Sequence, residues 1–154
     1  MPDLLIKLYD LPTAGSTGPH RVRVAMAYEK HAVVDWVRQQ FGLTWASECD
    51  VAFAKSPISC YIATVSQAIV GFACYDTTCR GFFGPIGVTE AMRGCGIGRD
   101  LLLTCLQGMA TIGYGYAVVG GVRCPAFYTK TVEAIEIPGS TPGIYRDRLK
   151  TPSA

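Results

Sequence analysis

The sequence predicts an α/β fold built on a central mixed, mostly antiparallel sheet, and three observations support this prediction. Strand-like and helical segments follow one another in the order β, α, α, β, β, β, α, β, α, β. Short turns between the three consecutive strands give antiparallel neighbours, whereas a helix that crosses between two strands gives a parallel pair. The 154 residues suit a single domain over 1–154, and their 49% apolar content is enough for a sizeable core.

The N-terminal segment predicts one strand and then a loop. Residues 3–10 have the character of a strand, and the stretch 11–19 is rich in Pro, Gly, Ser and Thr. The basic cluster His20-Arg21-Val22-Arg23 is interpreted as part of a solvated surface.

Two helices are predicted next. Apolar residues at helical spacing predict a helix from about Val22 to Phe41, which Gly42 ends. Thr44 is the predicted N-cap of a second helix over residues 45–54.

The middle of the chain predicts three consecutive strands, over residues 59–65, 68–75 and 81–88. Ser66-Gln67 forms the two-residue turn between the first two strands. Pro85 lies inside the third strand, where a proline predicts a bulge or an end to regular pairing.

The last third predicts two further helices and two further strands. These are a helix over 96–112, a strand over 114–120 that is buried on both faces, a short helix from Pro125, and a short strand over 134–137.

Composition excludes several classes of function. The net charge of +2 is too small to predict nucleic-acid binding. There is no run of eighteen apolar residues to span a membrane, and the first residues do not resemble a signal peptide. The seven cysteines contain no Cys-x-x-Cys pair and there are two histidines, so we expect no metal site. Most of these thiols lie in apolar runs, which predicts core positions and a reducing cytoplasm.

A glycine-rich turn at residues 93–98 carries the main functional signal. A strand-like segment runs through Arg93-Gly94-Cys95-Gly96-Ile97-Gly98 directly into an apolar helix, so unpaired N–H groups at the helix start can hold an anion. Arg93 adds a positive charge. A dinucleotide-binding turn needs a third glycine where Leu101 stands, and a Walker loop needs a lysine that is absent here. The remaining alternative is a turn without a ligand, for which three glycines are entropically costly.

The spacing Arg-x-x-Gly-x-Gly followed by Leu-Leu resembles the acetyl-CoA signature of the GNAT superfamily of acetyl-CoA-dependent N-acetyltransferases. The resemblance implies a mixed sheet of six to seven strands with a splayed parallel pair, flanked by about four helices. It also implies that acetyl-CoA is the co-substrate. The implied cofactor-binding residues are Ile86, Val88, Arg93, Gly94, Cys95, Gly96, Ile97, Gly98 and Arg99.

A second segment, Phe127-Tyr128-Thr129-Lys130, resembles the Phe-Tyr-x-Lys segment of the same family. The resemblance implies that Tyr128 protonates the departing CoA thiolate, and the ordinary pKa values of the two groups allow that transfer. The alternative is an aromatic pair that packs a helix on the sheet. The family often carries an asparagine seven residues before the tyrosine, where this chain has Gly121.

The acceptor amine needs a base, for which the candidates are Glu48, Asp50, Asp76 and Glu90, with Glu48 and Glu90 favoured. A main-chain N–H near Val88 is expected to polarise the acetyl carbonyl. The residues expected to line the open side of the acceptor cleft are Trp45, Phe82, Phe83, Tyr75 and Tyr145.

The resulting hypothesis is acetyl transfer from acetyl-CoA to a primary amine of a small molecule, peptide or protein, by direct attack in a ternary complex. One alternative is a non-catalytic acyl-CoA-binding sensor or interaction module, and another is a nucleotide-binding domain of a different fold. No nucleic-acid or membrane partner is expected. An edge strand near Ile144 would support a homodimer by sheet extension.

Overall fold

A computed structural model describes residues 1–15 and 18–150. Of the predicted loop 11–19, Ser16 and Thr17 lie outside the described residues, as do residues 151–154 of the predicted domain. The strands are β1 (Leu4–Lys7), β2 (Arg21–Val24), β3 (Cys60–Val65), β4 (Ala68–Tyr75), β5 (Phe82–Val88), β6 (Tyr116–Val119) and β7 (Ile135–Glu136). The α-helices are α1 (Lys30–Phe41), α2 (Leu43–Phe53), α3 (Ile97–Thr111) and α4 (Pro125–Val132).

The seven strands form one sheet in the order β2-β3-β4-β5-β6-β1-β7. All neighbours are antiparallel except β5 and β6, which are parallel because α3 crosses between them. The predicted mixed, mostly antiparallel sheet with one parallel pair is confirmed. None of the helices in the described ranges combines the length and the hydrophobicity of a membrane-spanning helix.

Apolar side chains form two cores. The larger core gathers the buried face of α3, together with Tyr128 and Val132 of α4, against β1 and the central strands. The smaller core packs α1 and α2 on β3 and β4, around Phe72. Four of the seven cysteines are buried in these cores, as predicted, whereas Cys95 and Cys124 are exposed and Cys79 is half-buried.

The predicted helix from Val22 is wrong at its start, because residues 21–24 form β2 and pair with β3. Val22 and Val24 alternate with Arg21 and Arg23, a period-two pattern that suits an edge strand better than a helix.

The interpretation of the basic cluster at residues 20–23 as solvated surface holds for Arg21, which is exposed, and is wrong for His20. His20 is buried, and Arg23 forms an ion pair with Glu29 at 2.8 Å. The pairing of β2 with β3 brings these side chains to partners that are distant in sequence or lie in the following turn.

Most of the predicted turns and helix ends agree with the structure. Gly42 ends α1 with φ of +100°, and Ser66 and Gln67 both have positive φ in the β3–β4 turn. The pairing register of β4 with β5 shifts between Ala73 and Tyr75, opposite the Gly84-Pro85 interruption. Thr44 is not the N-cap of α2, since that helix begins at Leu43 directly after Gly42.

Two predictions in the C-terminal half are wrong. β6 is not buried on both faces: Tyr116 is 51% exposed, because α1 and α2 pack chiefly on β3 to β5 and leave one face of β6 uncovered. Ile144 lies in a 3-10 helix over Gly143–Tyr145 and not in an edge strand. The edges of the described sheet are β2 and β7.

Candidate active site

A cleft opens where the two parallel strands separate. β5 pairs with β6 only at Phe82 and Phe83, opposite Val118 and Val119. Beyond Phe83, the interruption at Gly84-Pro85 ends the pairing of β5 with β6. The rest of β5 lines one side of a cavity of about 990 Å³. The two strands therefore lie apart at the position that the sequence indicated.

The backbone of β5 presents hydrogen-bonding groups to this cavity. The Thr89 N–H donates to the Val70 carbonyl at 2.8 Å, which fixes residues 87 and 89 as the positions bonded to β4. In an antiparallel pair the alternate residues point their N–H and C=O the other way, so those of Ile86 and Val88 face the cavity. The Val88 carbonyl confirms this direction, since it accepts a hydrogen bond from Arg93 Nε at 3.2 Å.

The turn before α3 forms what we call the phosphate loop, residues 94–99. Gly94 and Gly96 have φ near +82° and +83°, a left-handed conformation that other residues adopt only with strain. Within the described residues, the N–H groups of the phosphate loop donate no hydrogen bond to the rest of the chain. Arg93 and Gly98 line the cavity, so the phosphate loop at the start of the fifteen-residue helix α3 borders the cavity at Gly98.

The cofactor-binding residues implied by the resemblance contribute in different ways. Ile86, Val88, Arg93 and Gly98 line the cavity. The side chain of Ile97 is buried in the core, so this residue can offer only its main chain. Gly94, Cys95, Gly96 and Arg99 are exposed around the start of α3.

Tyr128 lies in α4 and lines the same cavity. It is 8% exposed, and its ring contacts Phe83 and Phe127 at centroid distances of 6.4 and 5.1 Å. Burial raises the pKa of the phenol, so it stays protonated at neutral pH. Within the described chain the hydroxyl has no hydrogen-bond partner. The packing interpretation is therefore correct for the ring, while the hydroxyl is free for a ligand.

Glu48 lies in α2, half-buried, and also lines the cavity. The Thr78 hydroxyl donates a hydrogen bond to its carboxylate. Burial raises the pKa of Glu48, and the Thr78 hydrogen bond partly opposes that shift. A carboxylate in this state is a stronger base than one on the surface.

The other three candidate bases do not reach the cavity. Glu90 is exposed in a 3-10 helix over Glu90–Met92, and Asp50 is exposed and paired with Lys30 at 3.0 Å. Asp76 accepts hydrogen bonds from the Tyr114 hydroxyl at 2.8 Å and from the Gly81 N–H at 2.7 Å, which closes the turn before β5.

Of the aromatic residues expected along the acceptor cleft, Trp45, Phe83 and Tyr145 line the cavity. Tyr75 is buried in the larger core, and Phe82 lies beside Gly120 without lining the cavity.

Several contributing contacts escaped the sequence analysis because they join distant parts of the chain. Asp3 accepts a hydrogen bond from the Gly121 N–H at 2.9 Å across 118 positions. Tyr145 lies on Gly120 and Gly121, which leaves no room for a side chain at Gly120. Nothing in the local sequence around these residues indicates those contacts.

A separate group of side chains could hold a soft metal ion. The sulfur atoms of Cys49, Cys60 and Cys74 all lie within 4.8 Å of one another and are buried between α2, β3 and β4. These residues do not line the cavity.

The sequence was compared with models of known protein families and with curated protein sequences. The family model described as the acetyltransferase (GNAT) family matches residues 30–130. The chain belongs to the GNAT acetyltransferase family. A search of curated protein sequences gave no match for this GNAT chain.

Solved structures share the GNAT fold at low sequence identity. An N-acetyltransferase from Sphaerobacter thermophilus superposes with a TM-score of 0.72 at 20% identity, over 88% of this chain and 48% of the other. YhbS from Escherichia coli, solved in complex with CoA, gives a TM-score of 0.58 at 19% identity, over 78% and 71% of the two chains. The GNAT chain thus spans about half the length of the first of these proteins.

Proposed function

We propose that the protein transfers an acetyl group from acetyl-CoA to a primary amine. The observation that carries this proposal is that three sets of groups, which the described residues leave largely unpartnered, lie in or beside one cavity. These are the N–H groups of the phosphate loop, the free edge of β5, and the hydroxyl of Tyr128. Acyl transfer from acetyl-CoA is the activity that the family supports in general.

The phosphate loop and Arg93 hold the pyrophosphate, and the β5 edge pairs with the amides of the pantetheine arm. The five residue-to-residue steps from Val88 back to Phe83 rise about 16 Å, which is comparable to an extended pantetheine chain. The arm therefore brings the thioester close to Phe83 and Tyr128. We assign the Ile86 N–H to the acetyl carbonyl in place of one near Val88, because along β5 Ile86 is two residues nearer Phe83, which contacts Tyr128.

The amine attacks the thioester carbonyl directly. Its nitrogen forms the new amide bond and gives its remaining extra proton to water, the carbon–sulfur bond breaks, and Tyr128 gives its proton to the departing thiolate and regains one from water. An alkylamine with a pKa near 10 is about one part in a thousand free base at neutral pH. Glu48 takes the proton from the ammonium group, directly or through water, and Glu90 has no part because it lies outside the cavity.

The alternative of a non-catalytic acyl-CoA sensor rests on Gly121, which stands where the family often has an asparagine. In this chain Tyr145 lies over Gly121. A sensor of this kind would bind acetyl-CoA through the same loop and edge but release no CoA.

Two measurements test the proposal. Acetyl-CoA is expected to bind in calorimetric titration and to raise the Tm, and a panel of primary amines is expected to give amine-dependent release of free CoA. A flat titration at millimolar acetyl-CoA would contradict the whole proposal. Binding without CoA release for any amine would support the sensor.

A further inference from the structure

One end of the cavity lies away from the phosphate loop, beside the start of β5. Thr78, in the turn before β5, donates a hydrogen bond to Glu48 of α2, and Thr77 Oγ1 donates to the Gly84 carbonyl at 3.1 Å. The phosphate loop follows the opposite end of β5. We call the first region the acceptor end and define it by Trp45, Glu48, Thr78, Phe83 and Tyr145.

The acceptor end carries a single negative group. Among the described residues that line the cavity, Glu48 is the one carboxylate, and the charged side chains that accompany it are Arg93, Arg123 and Arg148. Glu48 is half-buried, so its carboxylate has lost part of its hydration. An ammonium group that binds there forms an ion pair with the carboxylate and compensates for that loss. A second cation on the same molecule would find no partner and would meet the arginines.

One wall of the acceptor end is a fixed aromatic surface. The Trp45 ring packs on Phe41 and Phe72 at centroid distances of 5.2 and 6.1 Å. Phe41 is itself held against Gly87, where its ring occupies the space that a Cβ would need. Trp45 therefore faces the cavity from a packed cluster, and binding costs it little conformational entropy.

A second aromatic surface comes from the C-terminal segment. Tyr145 lies against Gly120 and Gly121 of the segment after β6, and Asp3 fixes the backbone there through the Gly121 N–H at 2.9 Å. Its ring is half-buried and lines the cavity together with Trp45. Two rings and one carboxylate suit a flat apolar body that carries one positive charge.

Resting on the proposed acetyl transfer, we infer that the acceptor is an arylalkylamine. Its ammonium group contacts Glu48, and its aromatic ring lies against Trp45 and Tyr145. Polyamines are disfavoured because the described lining of the cavity offers one carboxylate. Amino sugars are disfavoured because the polar side chains that define the acceptor end, Glu48, Thr78 and Tyr145, are too few to satisfy their many hydroxyl groups.

The test compares 2-phenylethylamine with hexylamine, glucosamine, spermidine and a short lysine peptide, by release of free CoA. We expect kcat/KM to be about tenfold higher for 2-phenylethylamine than for any of the others. Calorimetric titration of 2-phenylethylamine into the CoA-loaded protein gives a readout that does not depend on turnover, and binding is expected there as well.

Two variants test where the aromatic ring of 2-phenylethylamine binds. Trp45→Leu and Tyr145→Leu are each expected to raise KM for 2-phenylethylamine about tenfold while the Kd for acetyl-CoA stays constant. Trp45→Phe, which retains a ring, is expected to recover most of that loss. Tyr28→Leu is the matched control, since Tyr28 is 82% exposed and is not among the residues that line the cavity.

Failure of the arylalkylamine assignment and failure of the proposed acetyl transfer give different results. Preference for hexylamine, glucosamine, spermidine or the peptide would overturn the arylalkylamine assignment and leave acetyl transfer intact. Acetyl-CoA binding without turnover would reject acetyl transfer, and the titration would still decide the ligand class. If the leucine variants bind acetyl-CoA and 2-phenylethylamine like the unsubstituted protein, the assigned walls are wrong.

Discussion

The imidazole Nε2 of His20 lies 2.5 Å from Oδ2 of Asp100, and both side chains are buried. Asp100 stands in the first turn of α3, directly after the phosphate loop. His20 comes immediately before β2, so this contact ties the edge of the sheet to the helix whose start offers the anion site. The pair therefore links the stability of the fold to the geometry of the loop.

Removing His20 is expected to destabilise the protein. In His20→Ala, Asp100 keeps a buried carboxylate without its imidazole partner, which costs about 3 kcal/mol of unfolding free energy. Urea unfolding measures this change. His31→Ala is the control, because His31 is exposed on α1 and its loss should change the midpoint little. Equal stability of the two variants would mean that the buried pair contributes nothing.

Arg93 is expected to act on the pyrophosphate alone. Its guanidinium is held beside the cavity by the Val88 carbonyl, so Arg93→Ala should weaken CoA binding about tenfold. Pantetheine, which lacks the pyrophosphate, should bind the variant and the unsubstituted protein equally. Arg38→Ala on α1 controls for the loss of one positive charge. A similar loss for pantetheine would show that Arg93 supports the loop's structure instead.

Tyr128→Phe separates catalysis from packing. The substitution keeps the ring contacts with Phe83 and Phe127 and removes the proton donor, so kcat should fall about a hundredfold while the Kd for acetyl-CoA is unchanged. Tyr116→Phe, at the exposed end of β6, is the matched control. Because burial raises the pKa of Tyr128, its acid form persists with rising pH, and no alkaline loss of activity below about pH 10 should come from this residue. Unchanged kcat in Tyr128→Phe would exclude it as the acid.

The phosphate loop and the order of most elements could be predicted because both depend on local signals. Gly94 and Gly96 have positive φ, a conformation that glycine adopts without strain, so the glycine spacing indicates the turn. Gly42 ends α1 with positive φ as well. Edge strand β2 escaped prediction because its alternation covers only four residues and its pairing with β3 is set by tertiary contacts. Tyr145 was expected at the cleft, but its contact with Gly121 escaped, as did the contacts of Asp3 and Thr78, since each joins residues at least 24 positions apart.

Glu48 and Thr78 together should set the acid limb of the pH–rate profile. Glu48 acts as a base only when it is ionised, so activity should fall as the pH drops through its pKa, which burial places above the ordinary value. The Thr78 hydrogen bond favours the ionised form. Thr78→Val should therefore raise that pKa further and move the acid limb to higher pH.

Glu48→Gln should remove this limb and lower kcat about a hundredfold, because no base then takes the ammonium proton. Glu136→Gln, exposed on β7, is the control, and Glu90→Gln should behave like it since Glu90 lies outside the cavity. The measurement is kcat against pH at saturating acetyl-CoA. An acid limb that stays in place in Thr78→Val, or a loss of activity in Glu90→Gln that matches the loss in Glu48→Gln, would show that the proton leaves by another route.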